Sequence, residues 1–327
     1  MKKLYLVLII QLTVLTVCAQ EKLPDSQPPV KEELIFQSGF EPGSKVIDKG
    51  SDADITGKDL SVEAPNDWTE DFDNHPEVGT FSLQYQGGTE LQRFAKIIAE
   101  PGNPKNHLLH FWLNEPNVDG KKGRIQANIY GGEKGLKEFY QSERIFLTED
   151  FNTVRSFPDE MHWLTIAEFW NNTTWSQSVP NRYRLTLGIG KPVKGESDLY
   201  FIVDGQDCQL FADGSQKYTT LWSETNQKVK VPIGKWFTLE YFYKEGDSKT
   251  RRFWMVIQPE GGKREVVFDL TRVTHNSTDP APDGVTEFNP LKLYTSKQLI
   301  DYIRSEGKTL QIYWDDFKLW KNKRPED

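Results

Sequence analysis

Two short alternations stand out for the chemistry of their side chains. In Arg124-Ile125-Gln126-Ala127-Asn128 and in Lys292-Leu293-Tyr294, polar or cationic groups take every second place. If both segments are strands, a period of two sends Arg124, Gln126, Asn128, Lys292 and Tyr294 to one side of their sheets. Arg182 and Arg184 alternate in the same way with Tyr183, Leu185 and Leu187. Arg, Gln, Asn and Tyr are groups that hold polar ligands, and Arg, including Arg144, can grip carboxylates or sulfates in a bidentate manner. The plain alternative is a solvated outer face of the kind antiparallel sheets commonly have. Glu168 shares its strand parity with Leu164, Ile166 and Trp170, so it is expected either buried and paired or facing a ligand. His162 and His275 lie in loops from which an imidazole could reach a site as a base, although a lone loop His is more often solvated.

These groups need strands to carry them, and strand signals dominate the chain. Leu108–Leu113, Arg124–Tyr130, Trp163–Trp170, Tyr183–Ile189, Leu199–Val203, Trp236–Tyr243, Phe253–Gln258, Glu265–Leu270, Leu291–Thr295 and Leu310–Leu319 alternate or run apolar. Turn pairs such as Gly131-Gly132, Asp213-Gly214 and Gly261-Gly262 separate them. One helix is predicted, Ser296 to Glu306, closed by Gly307. No repeat and no internal linker divides residues 36–322, which predicts an all-β fold, one large sandwich of two antiparallel sheets.

The ends and the composition set the context. Lys2 and Lys3, the apolar run Leu4 to Val17 and Val17-Cys18-Ala19 read as a secretory signal peptide over residues 1–19. The alternative is a lipoprotein signal with Cys18 lipidated, giving an outer-membrane lipoprotein in place of a secreted or periplasmic protein. Residues 20–33 read as a Pro-rich linker and 34–322 as the domain. After cleavage only Cys208 remains, so an intrachain disulfide and a Cys-type zinc site are both excluded. The net charge is −8 over 327 residues, and −10 once Lys2 and Lys3 are removed, which argues against nucleic acid as a partner. No transmembrane span is expected in the mature protein. The 10 Trp, 12 Tyr and 19 Phe suit either sugar stacking or a β-rich core, with Trp170, Trp175, Trp222, Trp254 and Trp314 as candidate platforms. No metal or cofactor is expected; Asp52–Asp54 and Asp279–Asp283 could at most take a structural calcium.

Four segments then show a resemblance, and they occur in the same order along the chain. Gly123 to Asn128 resembles the Arg-x-Glu-x-Arg strand of jelly-roll polysaccharide lyases of the alginate-lyase and heparinase type. Ile166 to Asn171 stands where those families carry Gln-x-His. Asn289 to Tyr294 resembles their Lys-x-Gly-x-Tyr strand. Ile312 to Phe317 is similar to the closing strand of concanavalin A-like lectin and glucanase domains. Gln126 and Asn128 replace a Glu and an Arg, Trp170 stands where the His would be, and Leu293 replaces the Gly.

The resemblance implies a β-jelly-roll of the concanavalin A-like kind and a lyase acting on a uronate-containing, anionic polysaccharide such as ulvan, alginate, glucuronan or a glycosaminoglycan. β-Elimination removes the C5 proton beside a carboxylate, so donors must neutralise that carboxylate while a base and an acid move protons. The resemblance casts Arg124, Gln126 and Asn128 as carboxylate holders and Tyr294, beside Lys292, as base, acid or both. His275 is the loop alternative for the base. Arg144, Glu168, Trp170, Asn171, Arg182 and Arg184 are expected to contact substrate. The absent strand His and second Arg favour a different class, a non-catalytic surface glycan-binding protein. A glycoside hydrolase using Glu168 would need a second carboxylate about 5–10 Å away.

Overall fold

In a computed structural model, the structure describes residues 31–326 apart from 61, 63–65, 74, 86–87, 119, 132–134, 172–181 and 247–248. The expected signal peptide, almost all of the linker, and Trp175 lie outside the described residues. In chain order the strands are β1 Glu33–Ser38, β2 Lys45–Asp48, β3 Asp52–Thr56, β4 Gly79–Gln84, β5 Arg93–Glu100, β6 Asn103–Leu113, β7 Lys122–Gly131, β8 Glu138–Leu147 and β9 Leu164–Asn171. They continue as β10 Arg182–Gly190, β11 Tyr200–Leu210, β12 Gln216–Asn226, β13 Trp236–Lys244, β14 Arg252–Pro259, β15 Glu265–Leu270, β16 Glu287–Asn289, β17 Lys292–Ser296 and β18 Leu310–Lys321. Helix α1 is Trp68–Asp73 and α2 is Lys297–Ser305; a 3-10 helix covers Glu149–Ser156.

The strands form two antiparallel sheets. The eight-stranded sheet runs β15-β14-β13-β8-β18-β6-β5, with β1 also on β18. The ten-stranded sheet runs β12-β11-β10-β9-β16-β7-β4-β3-β2, with β17 also between β7 and β9. One hydrophobic cluster fills the space between the sheets, including Ile125, Ala127 and Ile129 of β7, Tyr183, Leu185 and Leu187 of β10, and Leu239 and Tyr241 of β13. This is the all-β sandwich that the alternation predicts. Because these residues point inward, the residues between them on β7 and β10 point to the outer face of the ten-stranded sheet.

The predicted helix is α2, with Ser296 as its N-cap accepting from the Leu299 amide at 3.3 Å. Gly307, at φ 71°, follows it. The short α1 has no periodic signal; it is fixed by Asp67, whose Oδ1 accepts from the Thr69 and Glu70 amides at 2.9 and 3.0 Å. Among the described residues no helix is long and apolar enough to cross a membrane. No group of three or more His, Cys, Asp or Glu side chains gathers among them to hold a metal. Asp52–Asp54 lie on strand β3, where Asp54 pairs with Lys49.

Candidate functional site

Two neighbouring irregularities build the site. The first is a broken strand. β16 and β17 occupy the same slot between β7 and β9, separated by Pro290 and Leu291. Pro290 has no N–H to give a ladder, and the Leu291 carbonyl accepts from the Ala127 amide at 2.9 Å. The break slips the parity by one residue. Asn289 and Lys292, three apart, both turn outward, while Phe288, Leu291 and Leu293 belong to the core. The second irregularity is a bulge in β9. Leu187 pairs with Ala167 but Gly188 with Thr165, so Ile166 is the extra residue. Leu164, Ile166, Ala167 and Phe169 all belong to the core, whereas Glu168 and Trp170 do not. The expectation that Glu168 shares a face with Leu164 and Ile166 is thereby corrected: the bulge reverses the parity between them.

Glu168 and Lys292 meet on the outer side and form an ion pair, both almost fully buried. The other Glu168 oxygen accepts from Arg184 Nη1 at 2.8 Å. Lys292 Nζ also donates to Asn289 Oδ1 at 3.2 Å, and Asn289 Nδ2 donates to Asn128 Oδ1 at 2.5 Å. Arg184 Nε donates to Gln206 Oε1 at 2.7 Å, and its guanidinium lies 4.0 Å from the Tyr218 ring centre and 5.2 Å from that of Trp170. Gln126 Nε2 donates to Gln84 Oε1 at 3.1 Å, leaving the buried Gln126 Oε1 without a partner. Burial would raise the Glu168 carboxyl, but Lys292 and Arg184 outweigh it and hold the group below its usual value. Burial, with Arg124 and Arg184 nearby, draws the Lys292 ammonium down to about 8 against the pull of Glu168.

Tyr294 stands at the accessible edge of this network. It is half-buried and directly opposite Arg124 in the β7–β17 ladder. Lys292 Nζ lies 4.9 Å and Lys122 Nζ 5.8 Å from its ring centre, and Trp163 meets it edge-on at 4.9 Å. Three cationic side chains, Lys122, Arg124 and Lys292, thus stand around the Tyr294 ring.

The structure therefore brings together Arg124, Gln126, Asn128, Glu168, Trp170, Arg184, Lys292 and Tyr294 on one face. Trp170 is buried and backs Arg184 in place of offering an open ring. Arg182 is fully buried on the same strand, with its carbonyl accepting from Asn276 Nδ2 at 3.3 Å. Asn171 turns to Glu245 at 3.2 Å and to the Thr274 carbonyl at 3.4 Å. His275 follows Thr274 in that same loop and is half-buried. Arg144 belongs to the opposite sheet. It bonds Asp315 at 3.2 Å and lies over Trp236, so it takes no part in this face. His162 is exposed, 3.8 Å from Glu160. Trp254 and Trp314 are buried, and Trp222 donates to the Val273 carbonyl at 2.9 Å.

Sequence reading missed Gln84, Gln206, Asn289 and Glu287 as members of the network. Asn289 and Glu287 belong to a three-residue strand too short to show a period. Gln84 closes β4, whose alternation Phe81, Leu83 was there to be read. Glu287 is a second carboxylate near Glu168, opposite Trp170 in the ladder, so it stands diagonally from Glu168.

No protein-family model and no curated protein matches the chain. Among solved structures it is similar to an endo-β-1,4-glucuronan lyase from the fungus Trichoderma reesei, at 14% identity and a TM-score of 0.38, over 70% of this chain and 87% of that one. It is similar to the alginate lyase Aly36B at 14% identity and a TM-score of 0.44, over 88% and 100% of the two chains. It is similar as well to a marine PL-14 alginate lyase from Aplysia kurodai, at 8% identity and a TM-score of 0.37, over 69% and 86%. Polysaccharide lyases of the alginate and glucuronan type are thus among the known structures that this chain resembles.

Proposed function

We propose that the outer face of the ten-stranded sheet binds a uronate-containing anionic polysaccharide outside the cytoplasm and cleaves it by β-elimination, with Tyr294 moving the protons. One observation carries the reading: on a chain of net charge −8, Arg124, Lys122 and Lys292 stand around Tyr294, a group able to take and return a proton. Arg124, opposite Tyr294, meets the substrate carboxylate and makes the C5 proton easier to remove. Tyr294 enters as the phenolate, and its oxygen takes that proton to become the phenol. The C5–H electron pair becomes the C4–C5 double bond, the C4–O pair leaves with the glycosidic oxygen, and the proton held by Tyr294 passes to that oxygen. Lys292 serves from below. Its charge offsets Glu168, and the pair fixes the strand from which Tyr294 projects.

The test is the ultraviolet absorbance of the unsaturated product on alginate, glucuronan, ulvan and glycosaminoglycans. A rise on one of them, abolished by Tyr294→Phe with binding retained, supports the reading; no rise on any of them refutes catalysis by elimination. A second reading, glycan binding without catalysis, is favoured by the mutual bonding of Gln126, Asn128 and Lys292 with Gln84 and Asn289, which commits those groups to each other. Retention on polyuronate gels without product is its signature. Hydrolysis would appear as reducing ends without absorbance, and the low-lying carboxyl of Glu168, held by two cations, argues against its use as the acid.

A further inference from the structure

Trp163 is the one tryptophan among the described residues with more than a third of its surface open, at 39%. An open indole presents an apolar face on which a sugar ring can rest. Its position is fixed from two sides. Its carbonyl accepts from Thr295 Oγ1 at 2.5 Å, and the next residue, Leu164, pairs with Thr295. These contacts set the ring against Tyr294, with centroids 4.9 Å apart and planes at 80°. An edge-to-face pair leaves much of the indole uncovered. From the other flanking strand, β7, Lys122 Nζ reaches within 5.8 Å of the same Tyr294 ring. Lys122 pairs with Ser296, and Trp163 precedes Leu164, the partner of Thr295, so the indole and the ammonium flank β17 one row beyond Tyr294 on the same face.

We propose that Trp163 and Lys122 form a second sugar subsite beside Tyr294, taking the neighbouring uronate of the bound chain. The apolar face of the pyranose rests on the indole and its carboxylate meets the Lys122 ammonium. This rests on the reading of the face as a polyuronate site and adds to it a binding register: one residue at Tyr294, the next at Trp163.

The experiment is calorimetric titration of the full-length mature chain with alginate and glucuronan oligosaccharides, from disaccharide to hexasaccharide. Wild type, Trp163→Ala, Trp163→Phe and Lys122→Gln are compared, each with its thermal midpoint. Affinity should grow with chain length in the wild type. Trp163→Ala should lose roughly 2- to 12-fold on the longer chains, the worth of one ring contact, with little change on the disaccharide. Trp163→Phe should restore most of it, and Lys122→Gln should weaken binding and flatten its salt dependence. Equal affinity of Trp163→Ala and wild type for the hexasaccharide overturns the subsite and leaves the polyuronate reading standing. A loss that is the same at every length, accompanied by a lower midpoint, also overturns it, because it assigns Trp163 to packing. Absence of any binding by the wild type removes both readings together.

Discussion

Glu143 offers a prediction whose size can be worked from its surroundings. It lies on β8 with only 1% of its surface open, its Oε2 accepting from Gln141 Nε2 at 2.9 Å and its Oε1 without a partner. A charged carboxylate there would be desolvated and half-satisfied. Burial accordingly lifts the group to about 8, against the pull of the Gln141 hydrogen bond and with some help from Glu240. The folded protein thus keeps a proton that the unfolded chain, near 4.5, has lost. The sign follows: the contribution to stability is complete below pH 4.5 and disappears as pH rises through about 8. At about 1.4 kcal/mol per pH unit over that interval, the loss is about 5 kcal/mol. Glu143→Gln keeps the shape and removes the proton. At about 2 °C per kcal/mol for a domain of this size, the variant should melt about 10 °C above the wild type near pH 8.5 and close to it near pH 5. Asp315, lifted to about 7 mainly by burial, titrates in the same window, so the quantity to follow by calorimetry is the difference between variant and wild type. A difference that does not change between those two pH values would refute the neutral buried acid. The effect also touches the site from beneath: Tyr241, bonded to Gln141, points its hydroxyl at the Pro290 carbonyl, 3.4 Å away, at the break that turns Lys292 outward.

Lys292→Met leaves Glu168 buried with Arg184 alone and should cost about 3–5 kcal/mol, read as a melting midpoint about 6–10 °C lower. The double variant Lys292→Met, Glu168→Leu removes both buried charges and should recover most of that loss while remaining inactive, if the pair positions Tyr294. Arg184→Lys cannot reproduce the fork that bonds Glu168 and Gln206 while lying over Tyr218; it should cost about 2 kcal/mol and weaken polyuronate binding, measured by melting and titration. Tyr294→Phe should abolish product formation with less than a two-fold change in binding, whereas a tyrosine that only packs would leave turnover intact.

What the sequence made legible was what period two can express. β7 and β10 place their inward and outward residues where alternation puts them, because each is regular over most of its length. β8 escaped notice for a chemical reason: its inward positions include Gln141 and Glu143, and its outward positions include Tyr140 and Phe146, so the polarity contrast that reveals a strand is cancelled on both faces. Strands β1 to β3 are short, with no long alternation to read. Residue type alone points Arg144 to the site, and residue type carries no information about which of two sheets a strand joins.

The site itself depends on two departures from alternation, and this is why its members could be named before their arrangement could be. An unbroken β16–β17 would put Asn289 and Lys292 on opposite faces, and an unbulged β9 would turn Glu168 to the same side as the core residues Leu164 and Ile166. Either change alone would leave a buried charge without its partner: a Lys292 ammonium with no carboxylate, or a carboxylate inside the apolar layer. That cost, several kcal/mol for a broken buried pair, makes the two irregularities dependent on each other. Pro290 fixes the first by withholding an N–H, and the ion pair holds the second in register with it. A glycine or alanine at 290 would restore a donor without adding any partner for it, so the break should persist only as firmly as Lys292 and Glu168 hold it. Pro290→Ala combined with Lys292→Met should therefore destabilise by more than the sum of the two single changes, and strict additivity in melting would show that the break and the pair are independent.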